Sequence, residues 1–138
     1  MKSSTVRKTE CYVDTSAAIA FLDRSDSYHA LFRRLFAAPP RLVTSALMIA
    51  EGHGWFLRRY DQHRAMQFLA FIRELPDVAV VSFDAEQLEP LLPILSKFRD
   101  QTLTVADAHG LAIMRQRRIE TCWSTDRHMS LTGVSLVI

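Results

Sequence analysis

The stretch E-C-Y-V-D-T-S-A-A-I-A-F-L, residues 10–22, decides the fold class of this 138-residue chain. Its first four residues include aromatic and β-branched side chains and predict a short strand over residues 10–13. The next three residues, 14–16, are of types that favour helix N-caps, so a helix is expected over residues 17–22. A strand that runs directly into a helix is the first half of a β–α–β unit.

The same alternation continues to the end of the chain. Further strands are predicted at residues 41–44, 78–81, 120–123 and 134–138, and further helices at 27–37, 45–59, 64–75, 85–98 and 104–117. Pro90 and Pro93 are expected to interrupt the helix over residues 85–98, because proline lacks the amide proton. Strands that alternate with helices predict one α/β domain over residues 1–138, built on a mostly parallel sheet.

Composition excludes several classes of protein. Hydrophobic residues make up 49% of the chain and charged residues 23%, which excludes a disordered or fibrous protein. A net charge of +2 is too small to indicate nucleic-acid binding from bulk electrostatics. Cys11 and Cys122 are expected to be thiols in a reducing compartment. No signal-like or membrane-spanning stretch is found, so a cytoplasmic protein with no membrane partner is expected.

Four acidic residues fall near one predicted edge of the sheet. Asp14 directly follows the first strand, and Asp126 follows the fourth. Asp107 lies in the first turn of the helix that starts at Thr104, and Glu51 lies near the beginning of its own helix. Because helices in right-handed crossovers run antiparallel to the strands, helix N-termini and strand C-termini meet at the same edge. The four carboxylates are therefore expected to lie together.

Three of these acids also have a purely structural interpretation, which is hardest to give for Glu51 on its apolar helix. Asp14 is suited to capping a helix, Asp107 has the capping-box spacing from Thr104, and Asp126 is suited to starting a turn. Four carboxylates at one edge would repel one another unless a cation offsets them. Oxygen ligands without a matched set of cysteines or histidines favour Mg²⁺ or Mn²⁺ over Zn²⁺. Such an ion, with open water positions, suits phosphoryl-transfer chemistry.

Four stretches at these residues resemble PIN-domain nucleases, and within that family the VapC-type toxins of prokaryotic toxin–antitoxin pairs. They are V-D-T-S-A-A-I-A-F-L-D (residues 13–23), S-A-L-M-I-A-E (45–51), L-T-V-A-D-A-H-G-L-A (103–112) and S-T-D-R-H-M (124–129). They occur in the family's order and cover nearly the whole chain. The resemblance implies a three-layer α/β/α fold with a central five-stranded sheet, and a Mg²⁺- or Mn²⁺-dependent endoribonuclease.

The resemblance also implies roles for individual residues. Asp14, Asp107 and Asp126 would hold the metal together with Glu51, which would orient the attacking water. In-line hydrolysis of RNA would leave a 5′-phosphate and a 3′-hydroxyl. Supporting roles fall to Ser124, two residues before the last acid, and to Asp100, where relatives often carry another acidic residue.

Partners follow from the same resemblance. Relatives form homodimers and are inhibited by a cognate antitoxin. An arginine of the antitoxin would bind in the acidic pocket of the toxin, because the two are complementary in charge. For the RNA substrate, Arg127 and His128 are candidates for phosphate contact because they adjoin Asp126. Arg115, Arg117 and Arg118 form another basic cluster, but they lie at a helix C-terminus, where cations are favoured for structural reasons.

One departure from the family's pattern affects the helix that carries Glu51. Two glycines, Gly52 and Gly54, follow this acid where relatives usually have bulky residues. Each glycine in a helix interior costs roughly 1 kcal/mol relative to alanine. The helix is therefore expected either to kink or to allow another backbone to approach closely.

Three other functions remain open from the sequence. The first is a catalytically silent RNA- or protein-binding module of the same fold, against which the complete set of four acids argues. The second is a receiver domain phosphorylated near Asp84, in which Asp14 would bind Mg²⁺. The third is a nucleic-acid-processing PIN nuclease without an antitoxin. The RNA cleaved, the dimer geometry and the preferred metal are not specified by the sequence.

Overall fold

Five parallel strands form one sheet in the computed structural model, which describes residues 9–138. In chain order the strands are β1 (Glu10–Val13), β2 (Arg41–Ser45), β3 (Val78–Val81), β4 (Thr121–Trp123) and β5 (Ser135–Leu136). Their order across the sheet is β3-β2-β1-β4-β5, and every neighbouring pair is parallel. The predicted α/β class is thus confirmed, although β5 is shorter than the strand predicted over residues 134–138.

Helices cover both faces of this sheet and complete three layers. They are α1 (Thr15–Leu22), α2 (His29–Ala37), α3 (Ala46–Arg59), α4 (Gln62–Glu74), α5 (Ala85–Lys97) and α6 (Val105–Arg117), with 3₁₀ helices at Arg99–Gln101 and Arg127–Ser130. Apolar side chains of α1 to α4 pack in one buried cluster, and those of α5 and α6 pack in another. The sheet separates the two clusters, which gives the α/β/α arrangement.

Strand β1 contributes to both clusters because successive strand side chains point to opposite faces. Cys11 and Val13 belong to the cluster beneath α1 to α4, whereas Tyr12 packs with α5 and α6. On the neighbouring strand β4, Cys122 is paired with Tyr12 and shares its face. The two thiols are therefore free, buried and on opposite faces of the sheet, and burial raises the pKa of both.

The prediction that prolines interrupt the fifth helix is wrong. Helix α5 runs without a break from Ala85 to Lys97, with Pro90 and Pro93 inside it. Both prolines are exposed, while Leu91 and Ile94 are buried beneath them. Water can therefore hydrate the carbonyl groups that lose their amide partners, and the buried leucine and isoleucine hold the helix on the sheet.

Gly52 accounts for the unusual sequence of α3. This helix is continuous over Ala46–Arg59, and the ring of Phe68 on α4 lies against Gly52. A β-carbon at this position would stand 2.3 Å from Cζ of Phe68. The glycine thus permits close approach of a side chain from α4, whereas the sequence predicted a kink or the close approach of another backbone.

The receiver-domain interpretation is wrong. Receiver domains have the strand order 2-1-3-4-5, whereas β1 here lies between β2 and β4. Asp84 caps α5, accepting a hydrogen bond from the amide of Glu86 at 3.0 Å, while its own amide donates to Gln87 at 2.8 Å. Over residues 9–138, no helix has the length and apolarity that crossing a membrane requires.

Candidate metal centre at the carboxyl edge of the sheet

The strand order places β1 beside β4, with the earlier strands on one side and β5 on the other. The succession of strands reverses at this point, and in open parallel sheets ligands bind just beyond the carboxyl ends of such strands. Asp14 follows β1, and Ser124 and Asp126 follow β4. The amide of Asp14 donates to the carbonyl of Trp123 at 3.0 Å, so the two strand ends stay paired as far as the site.

The structure brings all four predicted acids together around Asp107. Ligand oxygens of Asp14, Glu51 and Asp107 lie within 4.8 Å of one another. Asp107 also forms a second such group with Asp126 and His128. The first turn of α6 therefore carries the carboxylate that the two groups share.

Asp14 is the most buried of the four acids, with 7% of its surface exposed. Its Oδ2 accepts hydrogen bonds from the hydroxyls of Ser124 at 2.9 Å and Ser16 at 3.0 Å. Burial raises the pKa of Asp14 to about 6, and the charge of Asp107 adds to the rise, while the two serine hydroxyls oppose it. Without a cation, this carboxylate holds its proton more tightly than an exposed aspartate does.

The capping interpretation of Asp14 is wrong, because its side chain makes no capping hydrogen bond to α1. For Asp107, in contrast, the structural interpretation is correct. Its Oδ2 accepts from the amide of Thr104 at 3.0 Å, and its own amide donates to the Thr104 hydroxyl at 3.1 Å. Only one oxygen of Asp107 takes part in this capping box. The same side chain can therefore cap the helix through one oxygen and bind a metal through the other.

Glu51 and Asp126 are held in a similar way. Oε1 of Glu51 accepts a hydrogen bond from the hydroxyl of Thr15 at 2.8 Å. Oδ1 of Asp126 accepts from the amide of His128 at 3.0 Å and lies 3.3 Å from its Nδ1. Asp126 thus caps the 3₁₀ helix Arg127–Ser130, which agrees with the turn that the sequence predicts after this residue.

The supporting residues divide between the inside and the outside of this cluster. Ser124 is fully buried, and besides contacting Asp14 its hydroxyl accepts the amide of Asp126 at 2.9 Å. Asp100 lies in the 3₁₀ helix Arg99–Gln101, is exposed and belongs to neither carboxylate group. Arg127 is exposed beside the cluster. Arg117 lies elsewhere, since it makes a two-point contact with Glu10 at 2.8 Å and 3.2 Å.

Sequence reasoning missed two polar contacts of the site and one between β2 and α6. Thr15 and Ser16 were interpreted only as residues typical of helix N-caps, yet both hydroxyls contact site carboxylates. The third contact joins Nδ1 of His109 on α6 to the hydroxyl of Ser45 at 2.6 Å, and Ser45 caps α3. The D-T-S run at residues 14–16 is the sequence signal for the contacts of Thr15 and Ser16. It contains three hydrogen-bonding side chains, although a helix needs only one N-cap residue. The contact between Ser45 and His109 has no comparable signal in the sequence.

The donor set fits a hard divalent cation. All four acids offer oxygen, and Mg²⁺ and Mn²⁺ prefer carboxylate ligands. Glu51, Asp107 and Asp126 each accept hydrogen bonds through one oxygen, and within residues 9–138 their other oxygen accepts none. Asp14 accepts both serine hydroxyls through Oδ2 and also interacts with the backbone amide of Thr15. A free oxygen on Glu51, Asp107 and Asp126 is what an ion that keeps several waters requires.

Comparison with known proteins gives matches over nearly the whole chain. The model of the PIN domain family matches residues 11–134. The chain is 31% identical over 124 residues to the 23S rRNA-specific endonuclease VapC20 of Mycobacterium tuberculosis, an alignment that covers 88% of this chain and 93% of that protein. It is 28% identical over 118 residues to ribonuclease VapC26 of the same species, covering 83% and 85% of the two chains.

Solved structures agree with these matches. The crystal structure of Mycobacterium tuberculosis VapC20, described as a sarcin–ricin loop cleaving toxin, superposes with a TM-score of 0.80 at 27% identity, covering 90% of this chain and 95% of that one. A toxin–antitoxin complex from Klebsiella pneumoniae superposes with a TM-score of 0.60 at 16% identity, covering 93% and 96%. The second likeness concerns the fold alone.

Proposed function

Because this chain belongs to the PIN-domain family, we propose that it is a metal-dependent endoribonuclease and the toxin of a toxin–antitoxin pair. The observation that carries the proposal is the convergence of the carboxylates of Asp14, Glu51 and Asp126 on that of Asp107 at the ends of β1 and β4. Relatives named as ribonuclease and rRNA endonuclease align over more than four-fifths of the chain. Together these findings favour hydrolysis of an RNA phosphodiester over the silent binding module.

Asp14, Asp107, Asp126 and Glu51 would hold one or two ions of Mg²⁺ or Mn²⁺. When bound, the ion would lower the pKa of water and neutralise charge that develops on the phosphate. The raised pKa of Asp14 supports this assignment, since a buried carboxylate near Asp107 gains most from a nearby cation. Ser124 and Ser16 would keep Asp14 oriented through its Oδ2.

The chain's own residues then position water and substrate. Oε2 of Glu51 would accept a hydrogen bond from the attacking water and orient it towards phosphorus. The new bond joins the water oxygen to phosphorus, and the bond from phosphorus to the 3′-oxygen breaks. The attacking water gives up one proton to the solvent and the 3′-oxygen takes one up from it, so the products are a 3′-hydroxyl and a 5′-phosphate. Arg127 and His128, beside Asp126, would contact the phosphate of the RNA strand.

The partners of this protein are also part of the proposal. A cognate antitoxin would insert an arginine among the carboxylates, where a bidentate guanidinium contact is strong. A homodimer and a cytoplasmic location are proposed from the family resemblance. A PIN nuclease that acts without an antitoxin would have the same carboxylates, so the genetic context separates these two alternatives.

The decisive test is cleavage of labelled RNAs with Mg²⁺ or Mn²⁺, including a sarcin–ricin loop fragment because VapC20 is described as cleaving that loop. We expect cleavage that stops with EDTA and in D14N. The matched control is D84N, which makes the same change at a helix cap outside the cluster, where asparagine also caps well. Cleavage that survives in D14N, or a wild type that neither binds metal nor cuts any RNA, would contradict the proposal.

A further inference from the structure

The four acids of the metal centre share a pattern of half-engaged carboxylates. In each of them, one oxygen accepts a hydrogen bond from the protein, and the donors are Thr15, Thr104, His128 and the serine pair Ser16 and Ser124. For Asp107 and Asp126 the donors include backbone amides of helical turns. For Glu51 the donor is a side chain from a different helix.

From this difference we infer that Thr15 is a positioning residue, which holds Glu51 through Oε1 so that Oε2 is presented to the metal and the attacking water. The inference rests on the proposed function of the site. Thr15 itself touches neither metal nor substrate in this assignment, and it acts only through Glu51.

The surroundings of Thr15 support this role. The residue opens α1 and is buried, with 6% of its surface exposed, so its hydroxyl has little access to water. That hydroxyl donates to Oε1 of Glu51 at 2.8 Å across 36 positions of sequence. Asp14, which precedes it, makes no side-chain cap on α1. The residues at this turn are therefore directed at the carboxylates and not at their own helix.

Glu51 needs such support more than the three aspartates do. A glutamate side chain has one more rotatable bond than an aspartate and loses more conformational freedom when it is fixed. The next residue in sequence, Gly52, has no side chain to pack beside it. A ligand that is held in place by a second group binds metal better, and loss of such groups commonly weakens metal affinity by 10- to 100-fold.

The test is the affinity for Mn²⁺, measured by calorimetry without RNA, in wild type, T15V, T15S and E51Q. Valine keeps the shape of Thr15 and removes the hydroxyl, whereas serine keeps the hydroxyl. We expect T15V and E51Q to weaken Mn²⁺ binding by about tenfold or more, and T15S to restore most of the affinity. Since the readout is binding, it does not depend on finding the right RNA.

T44V is the matched control for a purely structural effect. Thr44 is 1% exposed, and its hydroxyl donates to the carbonyl of Val13 at 2.7 Å and not to a carboxylate of the site. T44V also removes one buried hydroxyl, so we expect it to lower the melting temperature as T15V does. Its Mn²⁺ affinity should equal that of wild type.

The outcomes separate the two proposals. If E51Q weakens Mn²⁺ binding and T15V does not, the role of Thr15 is overturned while the metal centre stands. Equal losses of affinity in T15V and T44V would also overturn it, because the effect would then be structural. A wild type that binds no Mn²⁺, or binds it no better than E51Q and D14N, would overturn the metal centre and the role of Thr15 with it.

Discussion

The hydroxyl oxygens of Ser16 and Ser124 lie 3.1 Å apart, although the residues are 108 positions apart in sequence. Both lie within hydrogen-bond distance of Oδ2 of Asp14. Each also accepts a backbone amide from the turn after β4, that of Thr125 for Ser16 and that of Asp126 for Ser124. The two serines thus join the ends of β1 and β4 around one buried carboxylate.

This contact predicts that the two serines are energetically coupled. Removing either hydroxyl in S16A or S124A leaves a part-buried amide without its acceptor, which should cost about 1–3 kcal/mol of unfolding free energy. Both hydroxyls contact Oδ2 of Asp14 and lie beside each other, so each single change already disturbs the partner of the other. The loss of unfolding free energy in the double variant should therefore differ from the sum of the two single losses by about 0.5 kcal/mol or more. Urea unfolding of the four proteins in EDTA measures it. Additive losses would show that the serines act independently.

The raised pKa of Asp14 predicts how stability depends on pH in the absence of metal. The ordinary pKa of an aspartate is 3.8, and that of Asp14 in the folded protein is about 6. The folded state therefore binds the proton more tightly, and the resulting stability is fully present below pH 3.8 and is lost as the pH rises through about 6. A shift of this size corresponds to about 3 kcal/mol.

D14N tests this dependence because asparagine keeps the shape and cannot ionise. In EDTA at pH 7 we expect D14N to be more stable than wild type, and the difference to shrink as the pH falls towards 4. With saturating Mg²⁺ at pH 7 the order should reverse, since only wild type gains stability from the bound ion. Melting temperatures across pH measure both effects. A difference that does not change with pH would contradict the raised pKa.

The half-engaged carboxylates predict which metals bind. Glu51, Asp107 and Asp126 each have one oxygen that accepts no hydrogen bond within residues 9–138. Ca²⁺ takes 6–8 oxygen ligands and commonly uses both oxygens of a carboxylate, whereas Mg²⁺ keeps several waters. At equal concentration, Mg²⁺ and Mn²⁺ should raise the melting temperature more than Ca²⁺ does. An equal or larger increase with Ca²⁺ would show that the hydrogen bonds yield to bidentate binding.

The contact between Gly52 and Phe68 predicts an unusual result for a glycine-to-alanine change in a helix. Alanine is intrinsically better in a helix than glycine by about 1 kcal/mol. In G52A, however, the new β-carbon would meet the Phe68 ring at 2.3 Å. We expect a net loss of about 1–3 kcal/mol of unfolding free energy, and partial rescue by F68L.

Gly54 provides the control in the same helix. A β-carbon there would stand 3.0 Å from Nη1 of Arg58, the flexible end of an exposed side chain. G54A should therefore be neutral or stabilising, as helix propensity alone predicts. Chemical unfolding of both variants gives the comparison. If G52A and G54A behave alike, the ring of Phe68 does not limit the approach of α4 to α3.

The sequence predicted the positions of the acids better than their surroundings. Asp14, Glu51, Asp107 and Asp126 were expected at one edge because parallel strands and their crossover helices place their ends there. The partner of Glu51 was not predicted, because Thr15 reaches it only when α1 packs against α3. Capping was likewise ambiguous from residue types alone, and it proved correct for Asp107 and wrong for Asp14.

Exposure explains the main error in the predicted elements. Pro90 and Pro93 are incompatible with a helix interior in general, but their effect depends on whether water reaches the carbonyl groups one turn earlier. That depends on which side of α5 faces the sheet, and both prolines face away from it. Leu91 and Ile94 are three positions apart and therefore lie on the same side of the helix. This spacing indicates which side of α5 faces the sheet.

The pairing of β1 with β4 bears on when activity begins during synthesis of the chain. Ribosomes release the N-terminal part first, so Asp14 is present long before its neighbours across the sheet. Asp126 joins the carboxylate of Asp107 only after Val13 has paired with Trp123, and that requires almost all of the strands and helices described here to have been made. A nascent chain therefore has no complete set of four carboxylates until β4 has been made and has paired with β1.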